Sequence, residues 1–211
     1  VLASTKQGSI YVLDRSTGKP IVPINEVPVP QGAVAGDHTS PTQPKSDLNL
    51  MPPPLQERDM WGVTPFDQLI CRIDFKSMRY EGPFTPPSLQ GSIVYPGNFG
   101  VFDWGGISVD PVRQIAFVNP SYMAFKSKMI PAAEIAAQGP RKSETEGVQP
   151  NKGAPYGVVL EALLSPMGLP CQAPAWGYVA AAAEAAMAEI RPTAAKDLSV
   201  NTGPSASQAN T

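Results

Sequence analysis

The sequence predicts an all-β fold of short strands and long ordered loops, followed by an alanine-rich helix and a polar tail. Three observations predict it. The 211 residues include 25 Pro and 18 Gly; Pro ends helices and is kept out of central strands, so much of the backbone must be turns, edges and irregular connections. Short β-branched and aromatic runs recur, each bounded by Gly, Pro, Asn or Asp. From Ala180 to Ile190 that character gives way to alanine with Glu184, Met187 and Glu189, a helix-forming composition.

The first 23 residues read as a hairpin. Ser9-Ile10-Tyr11-Val12-Leu13 is the outgoing strand, Asp14 to Lys19 the turn, and Pro20-Ile21-Val22 the return. A strand, a Leu-Asp-x-x-Thr-Gly-Lys turn and a second strand form a unit that propeller blades repeat. Asn25 to Glu57 is nearly all turn chemistry, yet Leu48, Leu50, Met51 and Leu55 need burial, so it is expected to be an ordered loop lying on a scaffold. Gln68 to Phe75 reads as a strand or a short helix. Ser92–Tyr95, Gly105–Asp110 and Gln114–Asn119 are expected to be successive antiparallel strands of one sheet. Residues 131–153 are polar and read as a surface loop. Pro155 to Tyr178 is Pro/Gly-rich and apolar, and a strand is expected to begin at Trp176–Ala180. The tail from Asn201 to Thr211 has no core-forming residues and is expected to be disordered.

The net charge of −2 gives no basic face, so nucleic acid is not an expected partner. No run reaches the roughly 18 to 20 apolar residues of a membrane helix. The opening residues, Val1 to Lys6, carry neither an initiator Met nor an apolar leader and give no targeting information. Cys71 and Cys171 lack CxxC spacing and a nearby His, so zinc is not expected. They leave two readings. A disulfide would close a long loop, worth about 4 to 5 kcal/mol in the chain-entropy model. Two separate buried thiols are the simpler expectation.

Several stretches together carry a resemblance. They include Lys6-Gln7-Gly8-Ser9-Ile10-Tyr11, Ser40-Pro41-Thr42-Gln43-Pro44, Phe84-Thr85-Pro86-Pro87-Ser88, Tyr95-Pro96-Gly97-Asn98-Phe99-Gly100, Trp104-Gly105-Gly106-Ile107-Ser108-Val109-Asp110-Pro111 and Leu164-Ser165-Pro166-Met167-Gly168-Leu169-Pro170-Cys171. In this order, from residue 1 to about 180, the chain resembles the membrane-bound, pyrroloquinoline-quinone-dependent glucose and quinate/shikimate dehydrogenases. The resemblance covers about a quarter of a full family member. It implies residues 1–180 as about two blades, with long loops, of an eight-bladed quinoprotein β-propeller. Residues 181–211 would be a tail without family counterpart, helical and then disordered.

The family places its propeller in the periplasm, anchored in the bacterial inner membrane by helices that precede this region. Pyrroloquinoline quinone lies over the propeller axis beside calcium or magnesium. A carboxylate takes the substrate hydroxyl proton as hydride moves to the quinone, and electrons pass to ubiquinone. The implied substrate is an aldose such as glucose, with quinate or shikimate as the alternative. A propeller-like binding protein that has lost the chemistry, or an independent secreted β-domain, are the readings from other classes.

Lys6 matches the family lysine that approaches the quinone oxygens. An ammonium there would stabilise charge developing on oxygen as hydride arrives at the adjacent carbon. Asn119 matches an asparagine near the quinone, whose amide donates without titrating; a strand-end Asx turn before Pro120 is the plain alternative. Trp104 is read as filling space between closely approaching sheets. His38, the single histidine, is read as a loop residue, either solvated or facing substrate. Asp59, Asp67, Asp103 and Asp110 are read as local turn carboxylates bonded to backbone. The family's proton-accepting aspartate and its metal-binding carboxylate and amide would precede Val1. The polypeptide alone is therefore expected neither to bind quinone tightly nor to turn over substrate.

Overall fold

The computed structural model describes residues 1–138 and 147–183. Strands β1 (Leu2–Ser4) and β2 (Ile10–Val12) pair antiparallel, with Ala3 opposite Tyr11. The predicted turn follows directly. Asp14 N–H donates to Lys19 O at 2.8 Å, and Asp14 Oδ1 accepts the N–H groups of Ser16 and Thr17 and the Thr17 hydroxyl. The Thr17 hydroxyl and N–H hold the Asp14 carboxyl below its usual range.

The stretch expected to be wholly loop contains a two-stranded ribbon, β3 (Ile24–Pro28) with β4 (Thr42–Ser46). Its prolines Pro28 and Pro44 are tolerated because a ribbon of two strands has only edges. Between the two readings left open for Gln68 to Phe75, the helix is found: α1 spans Pro65–Ser77. The Asp67 N–H donates to the Thr64 hydroxyl at its start, and Pro65 takes a first-turn position where no N–H is needed.

Strands β5 (Ser92–Val94), β6 (Ser108–Asp110), β7 (Ile115–Val118), β8 (Phe125–Pro131), β9 (Gly147–Gln149), β10 (Tyr156–Ala162) and β11 (Ala180–Ala183) complete two antiparallel sheets. Their orders are β5-β8-β10-β9 and β11-β7-β6. The first has the strand count of a propeller blade.

This corrects five expectations. The runs at 92, 105 and 114 are not one sheet: only β6 and β7 pair, while β5 joins β8. A hairpin-length link would have kept β5 beside β6, but the long Tyr95–Ile107 connection carries the chain to another sheet. The expected surface loop 131–153 contains β9, and the Pro/Gly-rich stretch contains β10. The strand expected from Trp176 begins at Ala180. The expected helix from Ala180 starts as strand, since Ala180–Ala183 pair with Ile115–Val118; β-ladder hydrogen bonds with a buried partner outweigh alanine's small helix preference. The remainder of the helix and tail expectation falls at 184–211, outside the described residues.

Two buried apolar clusters organise the chain. One gathers Ile10, Val12, Val22, Leu48, Phe102 and Val118. The other surrounds Met60, Cys71, Ile93, Tyr95, Leu163 and Cys171. Tyr122 packs against both, donating from its hydroxyl to Leu50 O at 2.7 Å and sharing a 2.9 Å bond with the Tyr178 hydroxyl. The expectation of two separate thiols is wrong. Cys71 and Cys171 form a disulfide, because the second cluster brings α1 against the 163–172 segment with both side chains fully buried.

Burial pushes the Tyr95 phenol up to about 12 from 10.0. A raised folded value means that the fold favours the neutral form. The associated stability is complete below the unfolded value and is lost as pH rises through the folded one. The urea midpoint is therefore expected to fall between about pH 10 and 12, and less steeply in Tyr95→Phe. Tyr80 and Tyr122 are raised by burial as well, so some decline should remain in that variant. Equal slopes in the two proteins would refute the assignment to Tyr95.

Candidate functional site

Lys6 occupies the turn between β1 and β2. The turn is closed by Gly8 N–H to Thr5 O at 2.9 Å and Thr5 N–H to Ser9 O at 3.0 Å. Its ammonium donates to Asn98 O at 2.8 Å and lies 3.4 Å from Asp103 Oδ1. Of its three N–H donors, one is thus given to a carbonyl and one faces a carboxylate, leaving one to offer. The lysine side chain is 58% exposed, so the ion pair positions the ammonium more than it stabilises the fold.

Gly100 fixes where Lys6 can stand. At φ +79 it occupies the left-handed region, and a Cβ there would meet Lys6 Cβ at 2.7 Å and Cα at 2.8 Å. Gly100 N–H donates to Gly97 O, and Gly97 N–H to Met123 O. The Phe99 ring sits edge-on to Phe125 with centroids 5.0 Å apart. The Tyr95–Gly100 loop is thereby seated on β8 and carries Asn98 to the ammonium.

Lys6 lines a cleft of about 360 Å³ with Phe84, Thr85, Tyr95 and Asn98. The turn at 82–85 is tied by Thr85, whose hydroxyl accepts Glu81 N–H at 2.9 Å and donates to Gly82 O at 2.6 Å. Phe84 is held at φ 63. A bulky residue in the left-handed region costs on the order of 1–2 kcal/mol and persists only where its surroundings over-determine it, which is common at ligand sites. A larger hollow of about 530 Å³ lies along β8. Of the two lysines there, Lys126 faces Asp74 at 3.7 Å and Glu161 at 3.3 Å, while Lys128 is exposed. What sets the smaller cleft apart is that its lysine is held in place by Asn98 O and Asp103 with a donor to spare.

Asn119 follows β7 and is exposed. Val101 N–H donates to Lys6 O and Ser121 N–H to Val101 O, so Val101 stands between Lys6 and the backbone two residues beyond Asn119. Among the described residues no hydrogen bond joins the Asn119 amide to Lys6. Trp104 is 98% exposed. Among the described residues it therefore fills no space between sheets, and it presents its indole one residue from the Lys6 partner Asp103.

Asp103 also departs from expectation, since it pairs with Lys6. Asp110 does bond backbone, accepting Val112 and Arg113 N–H, and so does Asp59, accepting Gln56 N–H. Asp67 accepts Val63 N–H but is buried, with Oδ1 unpartnered in the structure. His38 is exposed, its N–H donating to Asp37 Oδ1. Sequence reasoning missed Asn98 and Gly100 as holders of Lys6. The Tyr-Pro-Gly-Asn-Phe-Gly run was a signal, because glycines bracketing an aromatic mark close backbone approach.

Among the described residues no helix is long and apolar enough to cross a membrane. No solved structure matches the chain. Over 187 residues the chain is 52% identical to the quinoprotein glucose dehydrogenase of Escherichia coli, an alignment covering 86% of this chain and 24% of that protein. It is 55% identical over 183 residues to quinoprotein glucose dehydrogenase A of Acinetobacter calcoaceticus, covering 83% and 23%. With the quinate/shikimate dehydrogenase (quinone) of Acinetobacter baylyi the identity is 42% over 188 residues, covering 86% and 23%. The chain thus spans about a quarter of the length of the curated relatives it matches. The β-propeller family model of the pyrroloquinoline-quinone glucose/ethanol/alcohol dehydrogenases matches residues 1–190. With strands outnumbering helices among the described elements and a positioned lysine in a cleft, the chain belongs to this quinoprotein dehydrogenase family, as part of its β-propeller.

Proposed function

We propose that the chain works as part of a periplasmic quinoprotein dehydrogenase that oxidises an aldose, glucose first, and passes electrons to ubiquinone through a membrane-anchored parent. The observation that carries this reading is the Lys6 ammonium, held in the cleft by Asn98 O and Asp103 with one donor to spare. That donor suits an electron-rich quinone oxygen. When bound, pyrroloquinoline quinone supplies the hydride-accepting carbonyl carbon. Lys6 would there offer its ammonium to negative charge on the neighbouring oxygen, a form of electrostatic stabilisation. Asp103 and Asn98 O fix the ammonium's position at the cleft. Asn119 offers an amide donor that does not titrate.

Calcium or magnesium belongs to the same proposal, held by a carboxylate and an amide outside this chain, as does the proton-accepting aspartate. So does the division into a propeller part, 1–180, and a tail, 181–211; β11 carries paired backbone as far as Ala183. The disulfide supports an oxidising compartment, where such bonds persist. The choice of glucose over quinate or shikimate rests on the higher identities to the glucose enzymes. The test is dye reduction by the full-length parent enzyme loaded with quinone and calcium. Glucose is expected to drive it faster than quinate or shikimate at equal concentration. A faster rate with quinate reassigns the substrate, and no reduction with either class overturns the reading.

A further inference from the structure

Among the described residues the β3–β4 ribbon hydrogen-bonds as a strand to no other sheet, and its tip, residues 29–41, is mostly exposed. Within the tip, bonds are local. Gln31 Nε2 donates to Val29 O and Ser40 O, and the Thr39 hydroxyl donates to Gln31 Oε1. Among the described residues, the hydrogen bonds leaving the tip are two, both from one guanidinium: Arg79 Nη1 to Gly32 O at 2.7 Å and Arg79 Nη2 to Gln31 O. The same guanidinium donates from Nε to Glu81 Oε1 at 2.5 Å. Its backbone is fixed, because Arg79 N–H donates to Gly91 O and Ile93 N–H to Arg79 O. Glu81 in turn gives its N–H to Thr85, the residue that ties the 82–85 wall of the Lys6 cleft. The route from ribbon tip to cleft is therefore one planar fork and one carboxylate.

We propose that Arg79 is a positioning residue that docks the ribbon tip against the cleft wall and so sets affinity for a hydroxyl-rich substrate. This rests on the reading above. Two parallel N–H donors on adjacent carbonyls fix direction as well as distance, which a lysine's point charge does not. Gly32 completes the seat: at φ +89, a Cβ there would lie 3.7 Å from both terminal guanidinium nitrogens. The polar groups of the tip, Gln31, Asp37, His38 and Thr39, are the kind that read hydroxyls, and a loop so tethered keeps them in register with the cleft.

The test is Arg79→Ala and Arg79→Lys in the quinone-loaded enzyme in which this segment functions, with Gly32→Val as a variant that leaves the arginine in place. In Arg79→Ala, KM for the sugar is expected to rise about tenfold with kcat and quinone affinity unchanged. Amide exchange should accelerate across 29–41 and not across β5 or β8. Arg79→Lys should recover little of the KM, and Gly32→Val should raise it with Arg79 intact. Unchanged KM, or equal losses in kcat and quinone affinity, overturns the proposal. If the parent enzyme oxidises neither sugar nor quinate, the functional reading falls. Exchange across 29–41 in Arg79→Ala still decides the clamp in that case: acceleration supports it, and its absence refutes it.

Discussion

Reducing the Cys71–Cys171 bridge, or replacing both cysteines with alanine, is expected to lower the stability of the chain by about 4 to 5 kcal/mol, seen as a large fall in the urea midpoint. The two residues are 100 apart in sequence, so the cross-link removes the closure freedom of a long loop from the unfolded state. The native side adds a second reason. The apolar residues Phe66, Leu69, Ile70 and Ile73 of α1 are exposed, and the helix enters the core through Cys71, with Phe75 packed against the same cluster. Its neighbour across the bridge is itself pinned, Cys171 N–H donating to Leu163 O at 3.0 Å and Trp61 N–H to Cys171 O at 2.6 Å. Opening the bridge should therefore release α1 first. Amide exchange in 65–77 should accelerate before that in β8 or β10, which are joined by a full seven-residue register. Alanine variants should fare worse than the reduced chain, because two buried sulfurs are also lost and leave space behind. A change under about 1 kcal/mol on reduction would show that the reduced chain keeps the loop closed unaided.

Part of this architecture is legible in the sequence, for local reasons. The Asp14–Lys19 turn is written in residues that bond one another within a few positions, so it needs no tertiary information. The long strands β8 and β10 were not anticipated. Their pairing joins Phe125 to Ala162 and Pro131 to Tyr156, and Lys126, Ser127 and Lys128 give no apolar run to announce a strand. Tertiary pairing also overrode alanine's helix preference at Ala180–Ala183. The site shows the same division. Lys6 is visible as a residue type in a motif, but Asn98 holds it across 92 positions and through a backbone carbonyl, which has no residue-type signature.

Replacing Lys6 by alanine is expected to lower turnover of the quinone-loaded enzyme by about a hundred- to a thousandfold, the usual cost of removing one donor from developing oxyanion charge. Stability should change by less than about 0.5 kcal/mol, because the side chain is largely solvated and its ion pair with Asp103 is a surface one. Gly100→Ala separates position from charge. Its Cβ would press on Lys6 at under 3 Å, and φ +79 is unfavourable for any residue with a side chain. The ammonium would be kept but displaced, at a backbone cost of about 1 to 2 kcal/mol. Turnover in Gly100→Ala should therefore fall with Lys6 still present, and supplying more quinone should not restore it if the loss lies in the reacting step. Asp103→Asn should show a smaller loss, since Asn98 O still holds one N–H of the ammonium. Wild-type turnover in Lys6→Ala would mean that the charge on the quinone oxygen is met elsewhere, and the cleft between the 82–85 turn and the Tyr95–Gly100 loop would lose its claim to the chemistry.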